Sequence, residues 1–159
     1  MLSRGDAVVY KCRGVYKVEE VGKLDFSFVD GKKDYYTLQS IDNQRDKAYV
    51  PIDDEKNIRR PVSEQKAKEL LDHLAEVGIL NVKNEKYREQ EYKDCISIFC
   101  PENWVKVLKT LYSRTKRRGS MTSMDKKYQM LLEHALSSEM NYVLGIPAGE
   151  MTELIKKSE

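Results

Sequence analysis

No run of this chain approaches the roughly 20 consecutive apolar residues a helix needs to cross a bilayer. Its opening, MLSRGDAVVY, also lacks the apolar core of a signal peptide. A cytosolic, cytoplasmic protein with no membrane partner is expected. Cysteine is scarce and odd in number, and neither Cys12, Cys95 nor Cys100 is joined by a two-residue spacer to another cysteine or to a nearby histidine. That spacing excludes zinc-finger and thioredoxin-type motifs and leaves three reduced, partly buried thiols. The chain has two histidines, His73 and His134. Each falls just off an apolar helical stripe and reads as a surface or boundary residue. Gly-rich phosphate loops and nucleophile elbows are missing too. These absences speak against an enzyme, and no cofactor or metal is implied.

The most informative absence is local. From Trp104 to Arg118 there is no acidic residue at all. Extended to Lys127, the stretch carries Lys106, Lys109, Arg114, Lys116, Arg117, Arg118, Lys126 and Lys127 against Asp125 alone, in a protein whose formal charge is only +2. A solvated helix normally mixes signs, so an uncompensated run of this kind points to a polyanion. The physical signature of nucleic acid as that partner would be a salt slope of about −0.9 per phosphate contacted. The plainer alternative is the wet face of an amphipathic helix. Trp104, Val107, Leu108, Leu111 and Tyr112 fall at i, i+3, i+4, i+7 and i+8 and form one apolar stripe, so Lys106, Lys109 and Lys116 are expected to point away from it.

At 159 residues, 40% hydrophobic and 34% charged, the chain suits one ordinary domain or two small ones. Residues 1–61 read as short strands: Ala7 to Cys12, a break at Arg13-Gly14, then Val15 to Val21, Tyr35 to Ile41 and Lys47 to Pro51. Asp30-Gly31 has the composition of a type I′ turn, and Pro51 cannot donate to a ladder. Four or five strands in so short a segment imply a small, strongly curled antiparallel sheet or SH3-like barrel. After Pro61 the apolar period changes from two to 3.6. Ser63 can cap a helix through Ala67, Leu70, Leu71 and Leu74 that ends near Gly78. A charged helical segment spans about 83–98. Pro101 opens the basic helix, which Gly119 ends. Thr122 and Asp125 then match a capping box for a long helix to about Val143 that buries Tyr128, Leu131, Leu132, Ala135 and Leu136. Gly145, Ile146 and Pro147 precede a short final helix. The fold class is therefore α+β, with a sheet module over 1–61 and an all-α bundle over 62–159.

Several fragments together resemble one family. The opening Gly-Asp-Ala-Val-Val-Tyr, Arg13-Gly14-Val15, Asp34-Tyr35-Tyr36-Thr37-Leu38, Val50-Pro51 and Arg60-Pro61-Val62-Ser63 are similar to the CarD/CdnL bacterial transcription regulators. Lys109-Thr110-Leu111-Tyr112, Asp125-Lys126-Lys127-Tyr128 and Leu144-Gly145-Ile146-Pro147 extend the likeness through the helical half. The resemblance implies a Tudor-like RNA polymerase interaction domain at 1–61, shared with the transcription-repair coupling factor, and a basic DNA-contacting domain at 62–159. It implies a monomeric non-enzyme that binds the polymerase β subunit and stabilises the open complex from the upstream edge of the promoter bubble. Lys47, Ala48 and Tyr49 occupy the family's polymerase-contacting strand, where some members carry arginine in place of Tyr49; an aromatic or backbone contact would replace an ion pair. Some members also wedge a tryptophan of the second helical segment into DNA. Trp104 lies instead on the third helix's apolar stripe and reads as core. Tyr87, between Lys86 and Arg88, stands nearer the wedge position. Either it stacks on a base edge while Arg88 and Lys93 hold phosphates, or it packs against the sheet module. Arg114, Lys116, Arg117 and Arg118 complete the expected DNA-binding set.

Two other functions compete. A protein-interaction adaptor would set the basic helix on an acidic protein surface, without DNA. RNA binding through the sheet would need exposed stacking aromatics and a basic face, yet residues 1–60 hold 12 basic and 11 acidic side chains. No recognition helix with base-reading side chains at major-groove spacing is evident, so any DNA contact is expected to be sequence-independent.

Overall fold

A computed structural model describes residues 1–159. The chain divides into two compact units, Met1–Pro61 and Val62–Glu159. The first is an antiparallel sheet of five strands: β1 Ala7–Tyr10, β2 Val15–Lys23, β3 Asp34–Ser40, β4 Lys47–Pro51 and β5 Ile58–Arg59. Their order is β4-β3-β2-β1-β5, so β4 and β5 are the two edges. The period-2 pattern sends Val8, Tyr16, Val18, Tyr36, Leu38, Ala48 and Val50 into one core cluster, with Leu2, Tyr10, Ile52 and Ile58 packed at its border. Between β1 and β2 the chain reverses through Lys11, at φ 49, and Gly14, at φ 113.

The β2–β3 connection differs from the expected two-residue hairpin. After a register shift between Val18 and Glu20, pairing continues out to Lys23 opposite Asp34. The strands thus end at Lys23 and Asp34, on either side of the expected Asp30-Gly31 turn and short of it, and residues 24–33 form a loop. Gly31 is not among the positive-φ glycines, as a type I′ turn would require. Asp30 organises the loop instead, accepting from the Lys32 N–H at 2.9 Å and donating its own N–H to the Tyr35 hydroxyl at 3.3 Å.

The second unit holds five helices, α1 Glu64–Asp72, α2 Arg88–Ser97, α3 Pro101–Arg118, α4 Ser123–Leu144 and α5 Glu150–Lys157, with short 3-10 turns at Leu74–Glu76 and Glu85–Tyr87. Ser63 caps α1 by accepting from the Lys66 N–H at 3.1 Å. That helix stops at Asp72, six residues before Gly78, and the 3-10 turn takes up its remaining apolar residue, Leu74, which is buried. The expected segment 83–98 likewise begins with a 3-10 turn before α2. Gly119 (φ 82) and Gly145 (φ 72) terminate α3 and α4 in the left-handed region. Trp104, Val107, Leu108, Leu111 and Tyr112 are all buried, as are Tyr128, Leu132, Ala135 and Leu136. Leu131 is the exception on that face, 37% exposed at the margin of the stripe.

Candidate functional site

On the sheet unit the feature of interest is the outer edge of β4. Ala48 and Val50 face the core, whereas Lys47, Tyr49 and Pro51 face the opposite side. The ladder bonds to β3 fall on the even-numbered residues, bracketed by Ser40 N–H to Asp46 C=O at 2.9 Å and Ile52 N–H to Asp34 C=O at 3.1 Å. Antiparallel alternation therefore turns the N–H and C=O of Lys47 and Tyr49 outward, away from β3. The Pro51 carbonyl is already taken by the Asp54 N–H. Of the three residues expected to make the partner contact, Lys47 and Tyr49 turn main-chain groups outward, while Ala48 is the inward-facing spacer between them. The Lys47 ammonium is itself held by Glu19 at 3.1 Å. The Tyr49 ring meets Phe26 edge-on with centroids 5.1 Å apart, and Phe26 stacks on Phe28 at 5.2 Å. Phe26 and Phe28 escaped the sequence reading, although two of the three phenylalanines of the chain stand within one Phe-Ser-Phe.

In the helical unit the basic residues sort into internal and external groups. Lys109, expected to point outward, is 5% exposed and donates to the carbonyls of Leu74 and Val77, each at 2.8 Å. Its ammonium ties the 3-10 turn after α1 to α3, adding a charged donor to the Leu74 carbonyl that also accepts from the Val77 N–H at 3.2 Å. Arg88, expected to hold phosphates, is buried as well, and Arg114, expected to do the same, is largely covered. Arg88 reaches Glu85 at 3.0 Å and Asp125 at 3.6 Å; Arg114 reaches Asp125 at 3.3 Å and Glu85 at 2.5 Å. Asp125 is 1% exposed and also accepts from the Tyr92 hydroxyl at 3.0 Å. Burial, then the nearby Asp125 carboxylate, pushes the Tyr92 phenol well above its ordinary range. Thr122 caps α4 through the Asp125 N–H at 3.1 Å, but the Asp125 carboxylate serves this cluster and does not complete the reciprocal capping box. The physical reason for the correction is simple. A guanidinium removed from water needs paired carboxylates, and Glu85 and Asp125 supply them from other segments.

What remains outside is a rim around that cluster. Lys86, Tyr87, Lys93, Lys116, Arg117, Arg118 and Lys126 are exposed. Tyr87, at 55% exposure, sits next to the buried Arg88, and the Lys86 ammonium lies 5.7 Å from its ring centroid. Arg117 and Arg118 follow Arg114 by one turn, and Lys126 follows Asp125, so the cluster gathers these groups at one end of the bundle. Of these cations Lys116 is partly answered by Glu159, and the exposed Lys127 beside Lys126 is partly answered by Glu89, both at 3.7 Å. Trp104 is fully buried against Phe99, which places it in the core.

The three cysteines are free thiols. Burial pushes Cys12 up to about 11, which keeps the nucleophilic thiolate scarce at neutral pH. His73 forms an exposed pair with Glu76 at 3.2 Å. No group of three or more His, Cys, Asp or Glu side chains is arranged to hold a metal, and no helix is long and apolar enough to cross a membrane.

A small antiparallel sheet with an unpaired edge and exposed aromatic rings beside it has the main-chain groups that an added strand would need. Residues 2–62 match the family model of the CarD-like/TRCF RID domain. The matched stretch coincides with the sheet unit, which is thus similar to a domain of RNA polymerase-interacting, transcription-related proteins. The match stops at the start of the helical unit. No curated protein matches the chain.

Proposed function

We propose that this chain is a non-enzymatic bacterial transcription regulator that binds the RNA polymerase β subunit through β4 and touches promoter DNA at the upstream edge of the bubble, favouring the open complex. The observation that carries the reading is the unpaired edge at Lys47 and Tyr49 within the unit that matches the CarD-like/TRCF RID domain. An incoming strand can bond to four outward main-chain groups there, and alternate side chains give it register. In this reading the sheet is curled as a Tudor-like barrel, the protein acts in the cytoplasm as a monomer, and the two units divide the work.

The helical unit supplies the DNA side. Lys86, Lys93, Lys116, Arg117, Arg118 and Lys126 offer phosphate contacts around Tyr87, the one large exposed ring among them. Arg88 and Arg114 act from inside, positioning the Tyr87 segment and the end of α3. Regulation by differential binding needs little: about 1.4 kcal/mol in favour of the open complex changes its population tenfold. A few phosphate contacts suffice.

Binding to the isolated β subunit and open-complex lifetime test this together. Tyr49→Ala should weaken β binding, and Arg117→Glu/Arg118→Glu should spare it while shortening the open complex. Wild-type protein that fails to bind β would sink the proposal. A second reading has an observation in its favour, since the internal pairing of Arg88, Lys109 and Arg114 leaves a smaller basic rim than the sequence implies. That rim could meet an acidic protein surface instead. Crosslinking from position 117 or 126 to promoter DNA in the assembled complex separates the two.

A further inference from the structure

We propose that Phe26 and Phe28 form with Tyr49 an aromatic clamp that selects the partner strand, by receiving an apolar side chain placed directly opposite Tyr49. The inference rests on β4 being the docking edge.

Residues paired across an antiparallel or parallel ladder share a face, with Cβ atoms about 5 Å apart. On β3 the residue opposite Tyr49 is Thr37, which is 8% exposed. On the free side there is no residue. Whatever chain adds to β4 must set one side chain on the same face as the Tyr49 ring, within reach of Phe26. Phe26 and Phe28 are 40% and 74% exposed, and they stack nearly parallel, at 12°. Two phenylalanines so exposed, joined to a third ring on an unpaired edge, make a contiguous apolar surface of the kind that marks a partner site. The loop is also held in place before any partner arrives. The Asp30 N–H donates to the Tyr35 hydroxyl, and the Lys33 N–H to the Asp30 carbonyl at 3.2 Å. With the Val29 N–H also bonded to the Phe26 carbonyl at 3.4 Å, a loop backbone tied in this way loses less freedom on binding, which favours affinity.

The chemistry selects a protein strand over a nucleic acid. Unpaired N–H and C=O groups at Lys47 and Tyr49 match a backbone ladder, while the Lys47 ammonium is already held by Glu19. With 12 basic and 11 acidic residues in positions 1–60, the unit exerts no net pull on phosphate. An acidic side chain opposite Tyr49 would be stripped of water against the negative faces of three rings, so the clamp rejects it.

The test measures affinity of the full chain for cognate RNA polymerase core enzyme and, separately, for a short single-stranded RNA. Phe26→Ala/Phe28→Ala should bind polymerase about tenfold or more weakly, as truncated aromatic anchors do. Phe26→Leu/Phe28→Leu, which keeps apolar bulk, should recover most of that loss. Lys47→Pro removes an outward N–H without touching the rings and should be strongly impaired, since proline is tolerated on an outer edge but cannot donate. If the double alanine variant binds polymerase like wild type while Lys47→Pro does not, the clamp is wrong and the docking edge stands. If the double alanine variant loses RNA affinity and keeps polymerase affinity, the rings are a base-stacking surface and the clamp is overturned. Wild-type protein with no affinity for polymerase removes both the edge and the clamp. An unchanged urea midpoint shows that the effect is at the surface.

Discussion

The sheet unit encloses Val8, Val9, Val15, Tyr16, Val18, Tyr36 and Leu38 with only Thr37 and Ser40 as buried polar residues, whereas the helical unit encloses Arg88, Lys109, Asp125 and Glu139. Glu139, fully buried, accepts from the Val62 N–H at 2.9 Å. The contrast follows from how each architecture satisfies its backbone. A sheet pairs its main-chain groups strand to strand and leaves an unpaired row only at its edge, so its distinctive chemistry lies outside. Helices leave unpaired groups at every terminus, and this bundle brings several termini inward, where charged side chains meet them. Charge in the helical unit thus has two jobs, internal strut and external rim. Counting lysines and arginines does not distinguish them.

The sharpest way to break this comparison is Asp125→Ala. It would remove the buried carboxylate shared by Arg88, Arg114 and the Tyr92 hydroxyl, leaving only the exposed Glu85 for the two guanidiniums, and the expected loss is about 3–5 kcal/mol in urea unfolding. A loss below about 1 kcal/mol, the scale of a surface pair, would mean the cluster is solvated and the contrast false. Lys109→Ala should come next, at about 2 kcal/mol, because bonds from a charged donor to two carbonyls disappear. A conventional wet-face lysine would cost almost nothing, so the two descriptions of this residue are well separated.

A smaller effect should appear in the pH dependence. The Tyr128 hydroxyl, donating to Glu89 at 2.9 Å, holds that carboxyl below its ordinary 4.5, with Lys93 and Lys127 adding to the effect. A depressed carboxylate contributes stability that is present above pH 4.5 and is lost as pH falls through its folded value. Tyr128 itself is pushed up to about 12 from 10, by burial first and then by Glu89. Its contribution is complete below pH 10 and is lost as pH rises toward 12. Tyr128→Phe should therefore flatten the alkaline limb and shrink the acid one, seen in urea midpoints across pH. An unchanged acid limb would show that the lysines, and not the hydroxyl, depress Glu89.

The smallest stability change is expected at the rim. Arg117→Ala/Arg118→Ala should alter folding by no more than about 0.5 kcal/mol, while reducing the salt slope of DNA binding by about 2. Should these two changes unfold the bundle, the rim is part of the frame and the division between strut and surface is lost.

Much of this architecture was legible in the chain alone. The 3.6-residue spacing from Trp104 to Tyr112 placed α3 and its buried face, Ser63 and Thr122 marked two helix starts, Gly119 and Gly145 marked two ends, and Lys47 to Pro51 matched β4 residue for residue. These signals are local: caps, breakers and periodicity act within a turn or a strand. The β2–β3 loop was not legible, because strand length there depends on pairing through a bulge with a partner strand and not on the Asp30-Gly31 dipeptide. Nor could the fate of the basic residues be read, since Arg88 is brought to Asp125 across 37 positions and Arg114 to Glu85 across 29. A charge in a sequence is only a charge. Whether Lys109 and Arg114 become struts while Arg117 and Arg118 stay in water is decided by which carboxylates and carbonyls the packed helices bring within reach, because a buried ion is tolerated only where such partners meet it.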